Sequence, residues 1–407
     1  MFDIAAVRRD FPILSRTVHG HPLVYLDNGA TTQLPRPVLE AVDEQYRLYQ
    51  GNIHRGIHYL SERSTARVEH ARRTVADFIG ADPEEIVFTS GTTQSVNLAA
   101  RAIADGLLKP GDAVVTTEME HHSNLIPWQE ACRHTGARLL VVHLTDSGEL
   151  DMEELARHLE QRPKVLAVTC VSNVLGTVNP VEKLVRMGRD AGALVLLDGA
   201  QAVRHRPVDV HALDCDLFCF SGHKMMAPTG VGVLYGKRAV LESLPPVLFG
   251  GGMVDQVTCE SATYGTLPFK FEAGTQNIAG ILGLDAAIQY LRAVGLEDIF
   301  AREAELLAFT EARLAERADT ELLGAPAQRA GAVSFNLRGI HCFDAAKLLD
   351  QLGVAVRSGH HCAQPLLARF GLTGAIRVTP AFYNTAEEID ALCRGLDRIS
   401  ALAASLG

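Results

Sequence analysis

The feature that most constrains this chain is an alternation. Short apolar runs at about 113–117, 137–143, 165–171, 194–198, 216–220 and 231–235 are mostly separated by helix-like segments, and Glu85–Ser90 adds an earlier run. An apolar run of about four to eight residues closed by polar and glycine residues reads as a buried strand with a loop at its end. Alternation sustained over about 150 residues predicts an α/β fold, with a mostly parallel seven-stranded sheet covered on both faces.

The 407 residues exceed one compact core and suggest about two domains. Residues 36–50 and 61–80 pattern as helices, the second with Ser61 as N-cap and Gly80 just past its end. Residues 249–276 are Gly-rich and irregular, and 278–319 read as one long connecting helix. From about 330 the pattern changes to a strand at Val333–Leu337, a helix at 344–352 and a strand at Val354–Arg357. A loop at 358–365, a strand at Ala375–Val378 and a closing helix at 386–405 follow. The expected division is an N-terminal segment, 1–35, packing with the small domain, a large α/β domain, 36–290, and a small α+β domain, 291–407.

The net charge of −10 argues against nucleic acid as a partner. No apolar run approaches the roughly 18 residues needed to cross a bilayer, and the first ten residues do not pattern as a signal peptide; a cytoplasmic location is expected. The eight cysteines include no Cys-x-x-Cys pair and are expected to be reduced. Cys170, Cys215 and Cys219 lie in strand-like runs as small core residues.

Ligands of open α/β sheets bind just beyond the carboxyl ends of the strands. Here those ends repeatedly carry hydrogen-bonding residues: Thr92, His121, Asn173, Asp198, Gln201 and Ser221. Two adjacent runs end in Asp198-Gly199-Ala200-Gln201 and in Ser221-Gly222-His223-Lys224, bringing a carboxylate and an amine to one sheet edge. A lysine amine that forms a Schiff base with an aldehyde, and a carboxylate that partners a pyridinium nitrogen, are what pyridoxal phosphate requires. An Asp at a strand end also serves simply as a cap or turn former. Gly91-Thr92-Thr93 opens a helix directly after a strand, a natural phosphate seat, and either threonine would also serve as an N-cap. His121 is placed to stack on a pyridine ring, and no Cys or carboxylate at ligand spacing supports a metal at the His121-His122 pair. The loop from Gly51 to His58 reads as a solvated turn. Cys362 follows two histidines in a polar loop rather than an apolar run, a setting that favours thiolate. Arg377 ends a strand of the same small domain and suits an α-carboxylate, although a surface arginine is the commoner case.

In combination these motifs resemble a known family. His54-Arg55-Gly56-Ile57-His58, Gly91-Thr92-Thr93, Glu120-His121-His122-Ser123-Asn124, Asp198 to Gln201, Ser221 to Lys224, Phe271-Glu272-Ala273-Gly274-Thr275 and Arg357 to Cys362 are similar to those of SUF-type, second-group cysteine desulfurases. These are class-V aminotransferase-like enzymes of fold type I. The resemblance spans nearly the whole chain. It implies pyridoxal 5′-phosphate bonded to Lys224, His121 on the ring, Asp198 at the ring nitrogen and Gln201 at the phenolic oxygen. It assigns the phosphate to Thr92, Thr93, Ser221, His223 and Thr275 of the other subunit of a homodimer. The carboxylate of L-cysteine falls to Arg377 helped by Asn173, the persulfide to Cys362, and His54 and Arg357 to the mouth of the site. A separate acceptor protein of the SUF system would take the sulfur for iron–sulfur cluster assembly.

Two positions depart from the usual pattern: Gln94 stands where many relatives carry Glu, and Pro380 where a Leu or similar residue is usual. Selenocysteine lyase, another pyridoxal-phosphate reaction on the same fold, and a non-catalytic scaffold for cluster assembly remain alternatives.

Overall fold

A computed structural model describes residues 2–406. The strands of the large sheet are β1 (Ile86–Thr89), β2 (Ala113–Thr117), β3 (Arg138–Val142), β4 (Val165–Thr169), β5 (Leu194–Asp198), β6 (Leu217–Ser221) and β7 (Gly232–Gly236). Their order across the sheet is β1-β7-β6-β5-β4-β2-β3, with β7 antiparallel to both neighbours and all other pairs parallel. Parallel strands must be linked by crossovers, which here are helices. Two of these, α1 (Thr92–Gly106) and α2 (His122–Thr135), pack on one another.

The central strands β4 and β6 are buried along their whole length, with Val165, Leu166, Val168, Phe218 and Phe220 at zero exposure or close to it. Each such side chain contributes about 1.5–3 kcal/mol of burial. Cys170, Cys215 and Cys219 are buried among them, with Cys215 two residues ahead of β6. The carboxyl ends of β1, β2, β4, β5 and β6 therefore rest on a rigid platform.

The C-terminal part carries a four-stranded antiparallel sheet: Thr320–Leu322, Val333–Leu337, Ala375–Val378 and Arg357–Gly359, in that order. Val24–Tyr25 pairs in parallel with Val354–Ala355, and Asp27 bridges to Thr379. The early residues thus enter the fold beside Arg377.

Several expectations are corrected. The helix over Tyr59–Ile79 is capped by His58, whose Nδ1 accepts from the Ser61 N–H, rather than by Ser61; Gly80 closes it at φ 71°. Residues 278–319 form two helices, Ile278–Val294 and Leu296–Ala315, crossing at 82° where Gly295 takes φ 102°. A left-handed backbone at that glycine cannot continue an α-helix. The irregular 249–276 segment contains a hairpin, Val254–Val257 against Ala262–Tyr264. The run 354–357 divides at Val356 between two sheets. Among the described residues no single helix is long and apolar enough to cross a membrane.

Candidate active site

Asp198 is the last residue of β5 and Ser221 the last of β6, and these strands are parallel neighbours in register Asp198↔Cys219. The turn Gly222–Lys224 follows at once, so the carboxylate and the amine come to one edge of the sheet. A cavity of about 410 Å³ opens there. It gathers twelve of the expected residues: Thr92, Thr93, His121, Asn173, Asp198, Gln201, Ser221, His223, Lys224, Arg357, Cys362 and Arg377. His54 and Thr275 are not among them. They line a separate cavity that shares no wall with the first.

At one end of the site, α1 begins at Thr92. The Thr92 N–H donates to Ser221 Oγ at 2.8 Å, and that hydroxyl donates to Thr92 Oγ1 at 2.9 Å. The next two N–H groups, of Thr93 and Gln94, have no intrahelical partner and face outward from a helix N-terminus, an arrangement that attracts anions. Gly91, at φ 148°, lets the chain pass close to Ser221: a Cβ there would lie 3.1 Å from Ser221 Oγ. Helix capping therefore falls to Gly91, not to either threonine. Gln94 caps the turn before it by accepting from the Ser90 N–H, a bond a glutamate would make as well.

At the other end sits Asp198, 3% exposed, with Oδ1 accepting from the Ala200 N–H at 2.8 Å. No donor reaches Oδ2 among the described residues. Burial pushes this carboxyl up, while the Ala200 N–H and the Lys224 charge pull it down. Such a group favours a cation placed against it. Burial pushes the Lys224 amine down, with the Arg377 charge adding to the effect against Asp198 and Cys362. No acceptor bonds the amine among the described residues, so it is a free nucleophile.

His121 is the N-cap of α2 and accepts from the Ser123 N–H through Nδ1 at 3.1 Å. Burial and the charges of Lys224, His122 and Arg377 hold it down to about 3, so the ring is neutral. Behind it, buried Glu120 accepts from Thr117 Oγ1, Asn124 Nδ2 and the Thr169 N–H, fixing the turn to β4. Gln201 donates to the Gly29 carbonyl at 2.8 Å. Residues 29–32 clamp the lysine turn: the Thr32 N–H and the Thr31 hydroxyl both donate to the His223 carbonyl.

The C-terminal four-stranded sheet and its loops supply the opposite wall. Arg377, 3% exposed rather than on the surface, donates to the Asn173 carbonyl at 2.9 Å and to Asp27 Oδ1 at 3.2 Å, and its buried Nε has no partner. Asp27 also faces Arg357 Nε at 3.3 Å. The Asn173 amide is spent on the His361 carbonyl. Cys362 is half-buried and lines the same cavity as Lys224 and Arg377. The His54 loop is not a free turn: His54 Nε2 lies 3.0 Å from Glu69 Oε1, whereas Ile57 is 96% exposed.

Sequence reasoning passes over Asp27, Gly29, Thr31 and Thr32. The Asp27-Asn28-Gly29 turn after an apolar run was the available signal.

A buried carboxylate, a helix N-terminus with hydroxyls and an unbonded lysine amine, all lining one cavity, fit a phosphorylated pyridine aldehyde. This is the site of a pyridoxal-phosphate-dependent α/β enzyme. Residues 24–392 match the family Aminotransferase class-V. A cysteine desulfurase of Pectobacterium atrosepticum is 46% identical over 406 residues, 99% of this chain and 100% of its own. That of Dickeya dadantii is 47% identical over 403 residues, 98% of each chain. Among solved structures, a cysteine desulfurase from Thermococcus onnurineus superposes with a TM-score of 0.92 at 40% identity, over 97% of both chains. One from Escherichia coli, in an S-sulfonic acid form, gives 0.91 at 39% over 99% of both. The chain belongs to the cysteine desulfurases of the class-V aminotransferase family, whose cofactor is pyridoxal 5′-phosphate.

Proposed function

We propose that this enzyme takes sulfur from L-cysteine onto Cys362, leaves alanine, and hands the sulfur to a separate acceptor protein for iron–sulfur cluster assembly. One observation carries the reading: Lys224, Asp198, Arg377 and Cys362, from three parts of the chain, line one cavity. Bound pyridoxal phosphate supplies the electron sink that makes the Cα proton acidic and the Cβ–S bond labile.

The residues divide the remaining work. Thr92, Thr93, Ser221 and His223 would hold the phosphate, and Asp198 would keep the ring nitrogen protonated. Arg377, braced by Asp27 and the Asn173 carbonyl, grips the substrate carboxylate in a bidentate pair. That grip orients Cα toward the Lys224 amine, which takes its proton. The Cys362 thiolate attacks the substrate sulfur; the S–S bond forms as Cβ–S breaks, Cβ gains a proton, and the proton held by Lys224 returns to Cα. His121, whose burial keeps it neutral, would lie against the ring without adding charge.

Two features support a homodimer. His54 and Thr275 lie outside the Lys224 cavity of their own chain, and Ile57 and Tyr59, just after His54, and the ring pair Phe249–Tyr264, before Thr275, are exposed. Exposed apolar side chains of this kind suit an interface, and a second copy would bring His54 and Thr275 to its neighbour's site. The short loop carrying Cys362, fixed by His122 and His360, has little reach, which supports an acceptor that comes to it.

The test is a pair of variants. Lys224→Ala should abolish alanine formation and the cofactor's lysine-bound absorption band. Cys362→Ala should keep that band and lose alanine formation. Normal turnover by Cys362→Ala would refute the sulfur assignment.

A further inference from the structure

Arg72 is 1% exposed on the helix Tyr59–Ile79, at a point where the catalytic chemistry has no direct use for it. It bonds both oxygens of Glu272, at 2.8 and 3.0 Å, and its Nε lies 3.1 Å from Glu69. Its Nη1 also donates to the Ile86 carbonyl at 2.8 Å, and its Nη2 to Glu69 Oε1 at 3.4 Å. Glu272 accepts in addition from the Phe88 N–H at 2.7 Å. Glu69 turns its other oxygen to His54 Nε2 at 3.0 Å. The guanidinium also lies over the rings of Phe88, at 4.6 Å, and Phe269, at 5.6 Å.

A buried arginine with two carboxylates is costly to desolvate and is kept where it fixes a geometry. What it fixes here is specific. Glu69 anchors His54, and Glu272 stands three residues before Thr275. His54, Glu272 and Thr275 all line the second cavity, which Lys224 does not reach. One hub therefore sets the position of both segments that this chain presents away from its own cofactor site.

We propose that Arg72, with Glu69 and Glu272, is a positioning unit acting across the dimer: it sets how His54 and Thr275 enter the cofactor cavity of the second copy. The inference rests on the homodimer reading above. Glu272 also holds the Phe88 N–H of β1, which leads to Thr92 of its own site, but loss of its charge would impair the neighbour's site far more than its own.

Subunit mixing reads this directly. Differently tagged chains are combined and the mixed dimers isolated with cofactor bound. In the first, Glu272→Gln is on one chain and Cys362→Ala on the other. The chain with Cys362 then receives unaltered loops, and the dimer should keep about half the wild-type rate. In the second, both changes are on one chain opposite a wild-type partner. The only site with Cys362 now receives altered loops, and its rate should fall by roughly tenfold to a hundredfold, with faster cofactor release. A generally weakened fold would not separate the two arrangements. Glu69→Gln, at a half-buried position, gives the same comparison if Glu272→Gln fails to fold. Equal rates in the two mixtures, or the reverse order, would overturn the proposal. A fully active protein that sediments as a monomer would remove the homodimer reading itself, and the proposal with it.

Discussion

The N–H of His122 donates to the carbonyl of Cys362 at 2.7 Å, tying the cysteine loop of the C-terminal part to the turn that presents His121. The loop is held from its other side by His360, whose Nδ1 accepts from the Cys362 N–H at 3.0 Å. His361 and Cys362 are both left-handed, at φ 51° and 54°, conformations that cost non-glycine residues energy and persist only when neighbours fix them. The sulfur is therefore presented by a fixed loop.

His361 gives a pH prediction. Its Nε2–H donates to the Ala375 carbonyl at 2.9 Å, and burial, with the Arg377 charge, holds the ring down to about 3. The unfolded histidine binds its proton near pH 6.5. Between these values the unfolded state holds more protons, so this contribution is complete above 6.5 and is lost as the pH falls toward 3. The loss should be up to about 1.4 kcal/mol per pH unit. His361→Gln, which can keep the bond to Ala375, should flatten denaturant-derived stability against pH below 6.5. An unchanged slope would contradict the assignment.

Asp27 should act on substrate binding. It holds Arg377 and faces Arg357, and a charge-assisted bond to a buried guanidinium is worth about 1.5–3 kcal/mol. Asp27→Asn should raise KM for cysteine by about tenfold or more while moving kcat less, because Lys224 and Cys362 are untouched. Steady-state kinetics would show it; a fall confined to kcat would not fit.

Gly199 bears on cofactor affinity. A Cβ there would fall 2.0 Å from the Phe218 ring, inside the buried platform under Asp198. Gly199→Ala should destabilise the fold by about 1–3 kcal/mol through overpacking. It should also weaken pyridoxal phosphate binding by displacing Asp198. Thermal unfolding and cofactor titration would check the pair of effects.

The sheet and the residues one step past its strands are legible in the sequence because both obey local rules. Buried parallel strands read as continuous apolar runs, as Val165–Thr169 does, and the residues after them are polar. What is not legible depends on distant partners. Arg377 looks like a surface residue until Asp27, some 350 positions earlier, is seen to hold it. The break at Gly295 hides inside two helical patterns that meet without a proline. His54 reads as part of a solvated turn, since its partner Glu69 lies on the next helix. The hairpin at Val254–Tyr264 has exposed residues on both faces and so lacks the alternation that marks a strand.

The most direct test is mass spectrometry of the protein after brief exposure to L-cysteine without reductant or acceptor. The Cys362 peptide should gain the mass of one sulfur atom, with alanine released in step, and an added thiol should remove it. Alanine release with Cys362 unmodified, or sulfur found on another cysteine, would contradict the account.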